Sequence, residues 1–232
     1  MTQNLRNKGF TLIELSVVVL IIGLLVAGIT AGASLMKQAQ LRAIMSDLTT
    51  YQVAYNNFKA RFDKKPGDFN TASLFWSSVT AGDPASCAVT DATRCNGNGN
   101  NLIEHGTTIA TNESLKAWRH LYLAKMITSS VEQLSTSDGS IAIGDQAPAS
   151  KRSGVGYMMS AGGVTSTGTI DETGQLNNPF GTGTNGLWVG KSTDQTLLPG
   201  GPSLSNALTP EEAFQIDAKM DDAKDSTASG FT

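Results

Sequence analysis

The sequence predicts an α+β fold, in which a long N-terminal helix leads into a small globular domain with an antiparallel β-sheet. Three observations support this prediction. Residues 10–36 form an apolar run whose single ionisable side chain is Glu14. Residues 41–62 continue with apolar side chains at helical spacing, and the chain after Ile127 contains short β-like runs separated by Gly and Asn. We therefore expect one helical spine, its first half in a membrane, and one modest soluble core.

Composition excludes several classes of protein. The 232 residues are 40% hydrophobic and 16% charged, with 24 Gly, 7 Pro and 2 Cys. These values exclude a collagen, a disulfide-dense miniprotein, a wholly disordered chain and a multi-pass transporter. The mean hydropathy of −0.12 averages a membrane segment with a soluble domain. With 17 basic against 20 acidic residues, the chain is not built as a general binder of polyanions.

The N-terminus begins with a short polar leader, Met1–Gly9, in which Arg6 and Lys8 stand directly before the apolar run. The uncharged stretch Leu15–Leu35 has 21 residues. As a helix it spans roughly 30 Å, about the thickness of the hydrocarbon core of a bilayer. By the positive-inside rule the leader stays in the cytoplasm and the C-terminal domain lies outside it. Because the small residue Gly9 precedes the span, cleavage there would leave the span on the mature protein; an uncleaved signal anchor is the alternative.

Glu14 is the residue that a plain signal anchor does not explain. A carboxylate inside an apolar helix costs about 2.5–3.5 kcal/mol on insertion scales, so it needs a cationic partner. Cleavage after Gly9 would create one, the free amine of Phe10. In a bundle of parallel, staggered helices, Glu14 of one subunit can meet this amine on the next, and the pairing selects one register.

The residues around this carboxylate match, at every position, the processing motif of the type IV prepilin family, which the chain therefore resembles: Gly9-Phe10-Thr11-Leu12-Ile13-Glu14-Leu15. The resemblance implies that a prepilin peptidase cuts between Gly9 and Phe10, that the new Phe10 amine is methylated, and that Glu14 guides assembly. It also implies the architecture of pilins and pseudopilins, a long helical spine with a globular domain on its outer half. Many members have a proline about twenty residues into the mature helix, which permits a kink, where this chain has Ala31.

After the span, the apolar residues follow spacings of 3, 4, 3, 4, 3 and 4: Leu41, Ile44, Leu48, Tyr51, Tyr55, Phe58 and Phe62. This stripe predicts an amphipathic helix packed against its own domain, with an intermolecular coiled coil as the alternative. Joined to the span, it predicts one helix from Phe10 to Phe62, roughly 80 Å long, followed by the stop signal Pro66-Gly67-Asp68. We thus divide the chain into a leader (1–9), a transmembrane and assembly helix (10–36), the amphipathic half of the spine (37–65) and a globular domain (66–232).

A basic cluster stands at the end of the spine, formed by Lys59, Arg61, Lys64 and Lys65. Two roles are open for it. The cations can complement the C-terminal dipole of a solvated helix end, or they can bind DNA or an acidic neighbour. They are therefore the candidate nucleic-acid contacts of the chain.

Two further candidate sites lie in the globular domain. Cys87 and Cys95 are the only cysteines and lie outside the membrane on this topology, so we expect them to form a structural disulfide, with free thiols as the alternative. Directly after them come the candidate metal ligands, Asn96, Asn98, Asn100 and Glu104. The alternating oxygens are faintly similar to a calcium loop, and the family includes pseudopilins with a calcium-stabilised loop. However, the Asn side chains are neutral and the usual Gly and Glu positions are unmatched, so an Asn-Gly turn is the better reading. We expect no cofactor, with a structural calcium ion as the alternative.

The remaining sequence of the domain predicts two helices and a small antiparallel sheet. Apolar spacing indicates a helix over 113–127, and a last helix starts at the capping box Thr209-Pro210-Glu211-Glu212 and becomes acidic from Asp217 onwards. The β-like runs cover 140–143, 155–159, 164–170 and 186–189. His105 and His120 have no metal-spaced partners, and no nucleophile elbow, P-loop, zinc-protease or dinucleotide motif occurs. We therefore expect no enzyme activity.

Together, the residues and the resemblance predict a structural subunit of a type IV pilus or a related filament. Its partners would be other copies or other pilins, the prepilin peptidase and methyltransferase, and the assembly machinery of the inner membrane. The chain would first sit in that membrane by a single pass, with its C-terminal domain outside the cytoplasm, and then join an extracellular or periplasmic filament. Two alternatives remain open: a pseudopilin of a type II secretion system, and a minor or tip pilin that binds DNA or a surface.

Overall fold

A computed structural model describes residues 9–76, 95–104, 111–129, 141–161, 184–191, 196–197 and 207–220. Contacts divide the chain into two compact units, the first ending at Arg42 and the second beginning at Ala43. The α+β prediction is confirmed: a long apolar N-terminal helix is followed by a globular part with small antiparallel sheets.

Helix α1 runs from Leu12 to Phe62. It starts two residues later than predicted because Thr11 acts as its N-cap, accepting a hydrogen bond from the backbone N–H of Glu14 at 3.3 Å. It ends at the predicted Phe62, but the residue that ends it is Asp63, three positions before Pro66. Asp63 adopts a left-handed conformation (φ 52°), and its N–H bonds to the Lys59 carbonyl at 2.9 Å.

The core of the second unit lies between the amphipathic part of α1, helix α3 (Glu113–Leu123) and strand β2 (Val155–Ala161). Its centre is aromatic. The ring of Tyr51 on α1 meets Trp118 on α3 edge-on at 4.9 Å and Tyr157 on β2 at 5.1 Å. Farther along α1, Phe58 is also fully buried. The helical stripe therefore packs against the protein's own domain, because its large apolar faces are removed from water there.

The described strands form two separate two-stranded antiparallel sheets, where the sequence predicted one small sheet. β2 pairs with β3 (Asn185–Lys191), and Tyr157 lies opposite Val189. β1 (Ile141–Ala142) pairs with β4 (Thr196–Leu197), a strand that the sequence did not indicate. The predicted run 164–170 lies outside the described residues. Pairings of two residues leave too weak a pattern for periodicity to detect.

Helices α2 and α3 differ from the sequence prediction. A short helix α2 (Ala72–Phe75) was not predicted. α3 ends at Leu123, four residues before the predicted Ile127, because Lys125 takes a left-handed conformation (φ 59°). The N–H groups of Lys125 and Met126 bond back to the carbonyls of Tyr122 and Leu121, each at 2.9 Å, which is the Schellman arrangement.

The last helix, α4, runs from Pro210 to Met220, and its predicted capping box is present. The Thr209 N–H bonds to Glu212 Oε2 at 2.8 Å, and the Glu212 N–H bonds back to Thr209 Oγ1 at 3.3 Å. Arg152 Nη1 also meets Glu212 Oε2, at 3.0 Å. This buried carboxylate therefore both starts α4 and fastens it to the turn before β2.

One hydrogen bond joins β2 to α1 inside this core. The hydroxyl of the fully buried Tyr157 donates to Asp47 Oδ2 at 2.8 Å. Tyr157→Phe removes the donor and leaves a half-buried carboxylate without it, so we expect unfolding free energy to fall by about 1.5 kcal/mol. Denaturant unfolding of the detergent-solubilised chain measures the loss. Tyr122→Phe is the matched control, since the half-buried Tyr122 hydroxyl has no hydrogen bond among the described residues. Equal stability of the Tyr157 variant and the control would contradict the role of this bond.

Candidate functional site

The candidate processing residues lie just before the first turn of α1. Gly9 and Phe10 are outside the helix and exposed, and Phe10 is 88% exposed. The predicted scissile bond between them therefore lies in non-helical backbone that no described residue covers.

Glu14 forms a second capping box with Thr11. Its Oε2 accepts hydrogen bonds from the Thr11 N–H at 2.8 Å and from the Thr11 hydroxyl at 2.9 Å. Among the described residues, Glu14 Oε1 accepts no hydrogen bond. The carboxylate is therefore half satisfied by its own chain and keeps one oxygen for another donor. Sequence reasoning missed the role of Thr11, although the spacing Thr-x-x-Glu before an apolar run is a signal that could have found it.

The helix after Glu14 is apolar and uncovered. Every residue from Gly9 to Ala39 is exposed. Within the described residues, α1 supplies the one segment long and apolar enough to cross a membrane, with a mean hydropathy of 2.8. Two of its hydroxyl groups bond to the helix's own carbonyls, Ser16 Oγ to that of Ile13 at 2.9 Å and Thr30 Oγ1 to that of Ala27 at 3.0 Å. These two side chains can therefore enter lipid or a fibre core with their donors satisfied.

Glycines of this segment have no packing role within the first unit itself. A Cβ placed on Gly23, Gly28 or Gly32 would meet nothing within 4 Å. The spacing of Gly28 and Gly32 is one that lets helices approach closely, and no described residue makes use of it.

Residues 4–30 match the family model of the prokaryotic N-terminal methylation motif. The chain carries a prepilin-type signal. This signal is the one found on precursors of the type IV pilin and pseudopilin class, and it implies peptidase processing and filament assembly in general terms. Its apolar helix is consistent with membrane anchoring before assembly. The match stops at residue 30, and no curated protein and no solved structure matches the chain.

A second cluster of polar side chains lies in residues 96–104, which we call the Asn-rich loop. Its side-chain oxygens bond to backbone and side-chain donors. Asn98 Oδ1 accepts from the Asn100 N–H and Asn100 Oδ1 from the Leu102 N–H, each at 2.9 Å, which makes two successive Asx turns. Asn96 Oδ1 accepts from the Ser73 N–H at 2.8 Å, and Glu104 Oε2 accepts from Asn98 Nδ2 at 2.6 Å.

Two buried carboxylates hold this loop, and sequence reasoning identified neither. Asp68 accepts from the N–H groups of Gly99 and Asn101, the latter at 2.7 Å. Glu113 accepts from the N–H groups of Asn98 at 2.7 Å and Glu104 at 3.1 Å. Burial raises the pKa of Asp68, and burial raises the pKa of Glu113 to about 7 against the opposing effect of these N–H donors. No local pattern marks these residues, because their partners lie up to 33 positions away.

The arrangement uses the predicted calcium ligands as hydrogen-bond acceptors. Among the described residues, no group of three or more His, Cys, Asp or Glu side chains is placed to hold a metal ion. Calcium binding at this loop stays a prediction of the sequence, and the turn geometry accounts for the same oxygens.

His120 connects the segment that follows α1 to the start of this loop through two hydrogen bonds. Its Nδ1 accepts from the Gly67 N–H at 2.9 Å, which fixes the proton on Nε2, and Nε2 lies 2.8 Å from the carbonyl of Cys95. The ring is fully buried and lies nearly parallel to two neighbouring rings, 6.0 Å from that of Phe58 and 5.5 Å from that of Trp76. Burial lowers the pKa of His120 to about 3. The histidine is therefore a neutral structural group in the described part of the chain.

The remaining predicted residues are placed as follows. Cys95 is buried, but Cys87 lies outside the described residues, so their disulfide stays a prediction. In the basic cluster, Lys59, Arg61 and Lys64 are exposed. Lys65 is half-buried and its Nζ donates to the Asn101 carbonyl at 2.6 Å, while burial lowers its pKa. The structure thus sets Lys65 apart as a support of the loop.

Proposed function

We propose that the chain is the precursor of a structural filament subunit, a type IV pilin, that a prepilin peptidase cuts between Gly9 and Phe10 and that is then methylated on the Phe10 amine. It waits in the inner membrane, with its globular domain outside the cytoplasm, and joins the filament through α1. The observation on which this rests is the prepilin-type signal continuing into an apolar helix that nothing in the described chain covers.

Removal of that helix from water stabilises the subunit both in the membrane and in the filament. An apolar surface of this extent is stable in lipid and is equally stable among identical helices in a fibre core. Because the same surface suits both places, the subunit can move from one to the other without refolding its globular domain.

Glu14 selects how neighbouring helices are staggered in the filament. Oε2 is held by Thr11, and Oε1 is open to a cation. Cutting after Gly9 creates an ammonium group on the helix terminus, which pairs with the open oxygen of a neighbouring subunit. The pairing selects the stagger at which each helix meets the next, whereas the apolar contacts supply most of the cohesion.

Two related roles stay as alternative proposals. A pseudopilin of a type II secretion system would use the same signal and helix. A minor or tip pilin that binds DNA would use Lys59, Arg61 and Lys64, since Lys65 already bonds to Asn101. A role as an enzyme has no support in the described residues, and we propose none.

The intact mass and the N-terminal sequence of the protein from its native membrane test this proposal. We expect loss of residues 1–9 and gain of one methyl group on Phe10. A Gly9→Leu chain, in which a large side chain occupies the cleavage position, serves as the uncut standard. An uncut wild-type chain, or a cut after the apolar segment, would contradict the proposed function.

A further inference from the structure

An open groove lies in the second unit, between the outward side of α1 and the turn that ends α3. Its volume is 790 Å³. Val53, which is 52% exposed, forms part of the α1 wall, and Met126 forms part of the opposite wall. Among the described residues, nothing fills this space, and a half-exposed valine in a groove is apolar surface that gains from burial.

The rim of the groove is positively charged. Arg61 and Lys125 line it, and the lining contains no acidic residue. Each cation rests on an aromatic ring, the Arg61 guanidinium 5.2 Å from the centre of Phe62 and Lys125 Nζ 5.3 Å from that of Tyr122. Both side chains are exposed, and neither forms an ion pair within the described part of the chain. The groove therefore suits an apolar side chain flanked by carboxylates.

Helix α4 of this chain presents such a surface. Its inner face is fixed, since Ile216 and Glu212 are buried and Glu212 pairs with Arg152 at 3.0 Å. Its outer face carries Phe214, 62% exposed, with the exposed acids Glu211 and Asp217 three positions on either side. Residues three apart lie about 60° from each other around a helix, so the two carboxylates flank the ring on the outward side of α4.

We propose that the outer face of α4 of one copy docks into the groove of the next copy, placing Phe214 against Val53 and Met126 and the two acids against Arg61 and Lys125. This inference rests on the proposed function, because it names a contact between subunits of the filament. The groove and α4 are different surfaces of the same chain, so in a filament the contact repeats from head to tail, each copy offering its groove to one neighbour and its α4 to the other.

The contact is small, so it forms only where the copies are already held together. One helix face in one groove buries less than the ~1,200 Å² below which protein interfaces are weak and transient. It therefore needs the N-terminal helices to hold the copies together and raise their effective concentration. The charges select which surfaces meet, because any other pairing of these faces brings like charges together.

Directed cross-linking in filaments tests the contact. Cells make two chains together, one with Val53→Cys and one with Phe214→Cys, and sheared filaments are oxidised and run on a non-reducing gel. We expect a covalent dimer in the mixed filaments and none in filaments of either variant alone. Wild-type filaments under the same oxidation control for Cys87 and Cys95.

Several outcomes would overturn the docking. Mixed filaments without the dimer would do so, as would a dimer from Val53→Cys alone, which indicates a symmetric contact. A chain with both substitutions that cross-links within itself would show that its own α4 fills the groove. Absence of wild-type filaments would instead contradict the proposed function, so the two failures are distinguishable.

If the cysteine variants do not form filaments, charge reversal tests the docking of α4 into the groove. Reversing the groove with Arg61→Glu and Lys125→Asp, or reversing α4 with Glu211→Lys and Asp217→Lys, should lower filament yield at least about tenfold, and combining all four should restore it. Lys59→Glu with Lys64→Asp makes the same charge change outside the groove and should leave the yield unchanged. Failure of the combined chain to recover, or an equal loss in the control, would overturn the proposal.

Discussion

Replacing Glu14 with Gln should abolish filament formation while the chain stays in the membrane and loses its leader normally. Gln retains a carbonyl oxygen that accepts from the Thr11 N–H, so the start of α1 is preserved. What it lacks is the negative charge. The amine of the neighbouring subunit would then enter the fibre core unpaired, at a cost of about 3 kcal/mol on insertion scales. That is about 100-fold in the equilibrium constant for adding each subunit.

Counting filaments by electron microscopy, with membrane fractionation and intact mass on the same cells, measures this effect. Thr30→Val is the matched control, because it removes a polar group of the same segment that bonds only to its own helix at Ala27. Thr11→Val is informative too. It removes one of the two hydrogen bonds to Oε2 and should reduce assembly less than the loss of the charge does. Normal filaments from the Glu14→Gln chain would refute the charge pairing.

Replacing His120 with Phe should give the largest loss of stability in the globular domain. Phe keeps the stacking on Phe58 and Trp76 but removes the acceptor of the buried Gly67 N–H and the donor to the Cys95 carbonyl. Each of these two lost hydrogen bonds costs about 1–3 kcal/mol in a buried site, so we expect a loss of about 3 kcal/mol. Denaturant unfolding of the detergent-solubilised chain measures it, with the exposed substitution Asp145→Asn as the control. A loss no greater than that of the control would show that His120 is not a clamp.

The pH dependence separates this clamp from general packing. The folded pKa of His120 is about 3 and the ordinary value is 6.5, so the unfolded chain binds the extra proton between these values. The stability contributed by His120 is therefore fully present above pH 6.5 and is lost as the pH falls. Between pH 6.5 and pH 4.5 the loss amounts to about 2 kcal/mol.

Glu113 acts in the opposite sense over the same range. Burial raises its pKa from 4.5 to about 7, so its contribution is present below pH 4.5 and is lost as the pH rises through 7. The wild-type profile is therefore flatter than either group alone would give. We expect the His120→Phe chain to gain stability on acidification and a Glu113→Gln chain to lose it. Parallel profiles for all three chains would contradict both assignments. The contributions of other titrating groups, Asp68 included, are common to the three chains and cancel when their pH profiles are compared.

Local patterns predicted those parts of the fold in which partners are close in sequence. The spacing of the apolar stripe placed α1 and its buried face, and the capping box Thr209-x-x-Glu212 placed the start of α4. The end of α3 was wrong by four residues because Lys125 occupies a left-handed position that favours glycine, and no sequence rule marks it. The separation into two sheets depends on pairings between residues at least 24 positions apart, which periodicity does not encode.

The sequence by itself determined the N-terminal site, because the prepilin-type signal, the span and Glu14 lie within one continuous stretch whose chemistry is set by neighbours along the helix. Only the tertiary structure decided how the globular domain is held. Asp68, Glu113 and His120 act on residues far away in the chain, and a buried carboxylate or imidazole reads in sequence like one in water. The same holds for the groove and the outer face of α4, since a surface exists only once the fold has chosen which side chains remain uncovered.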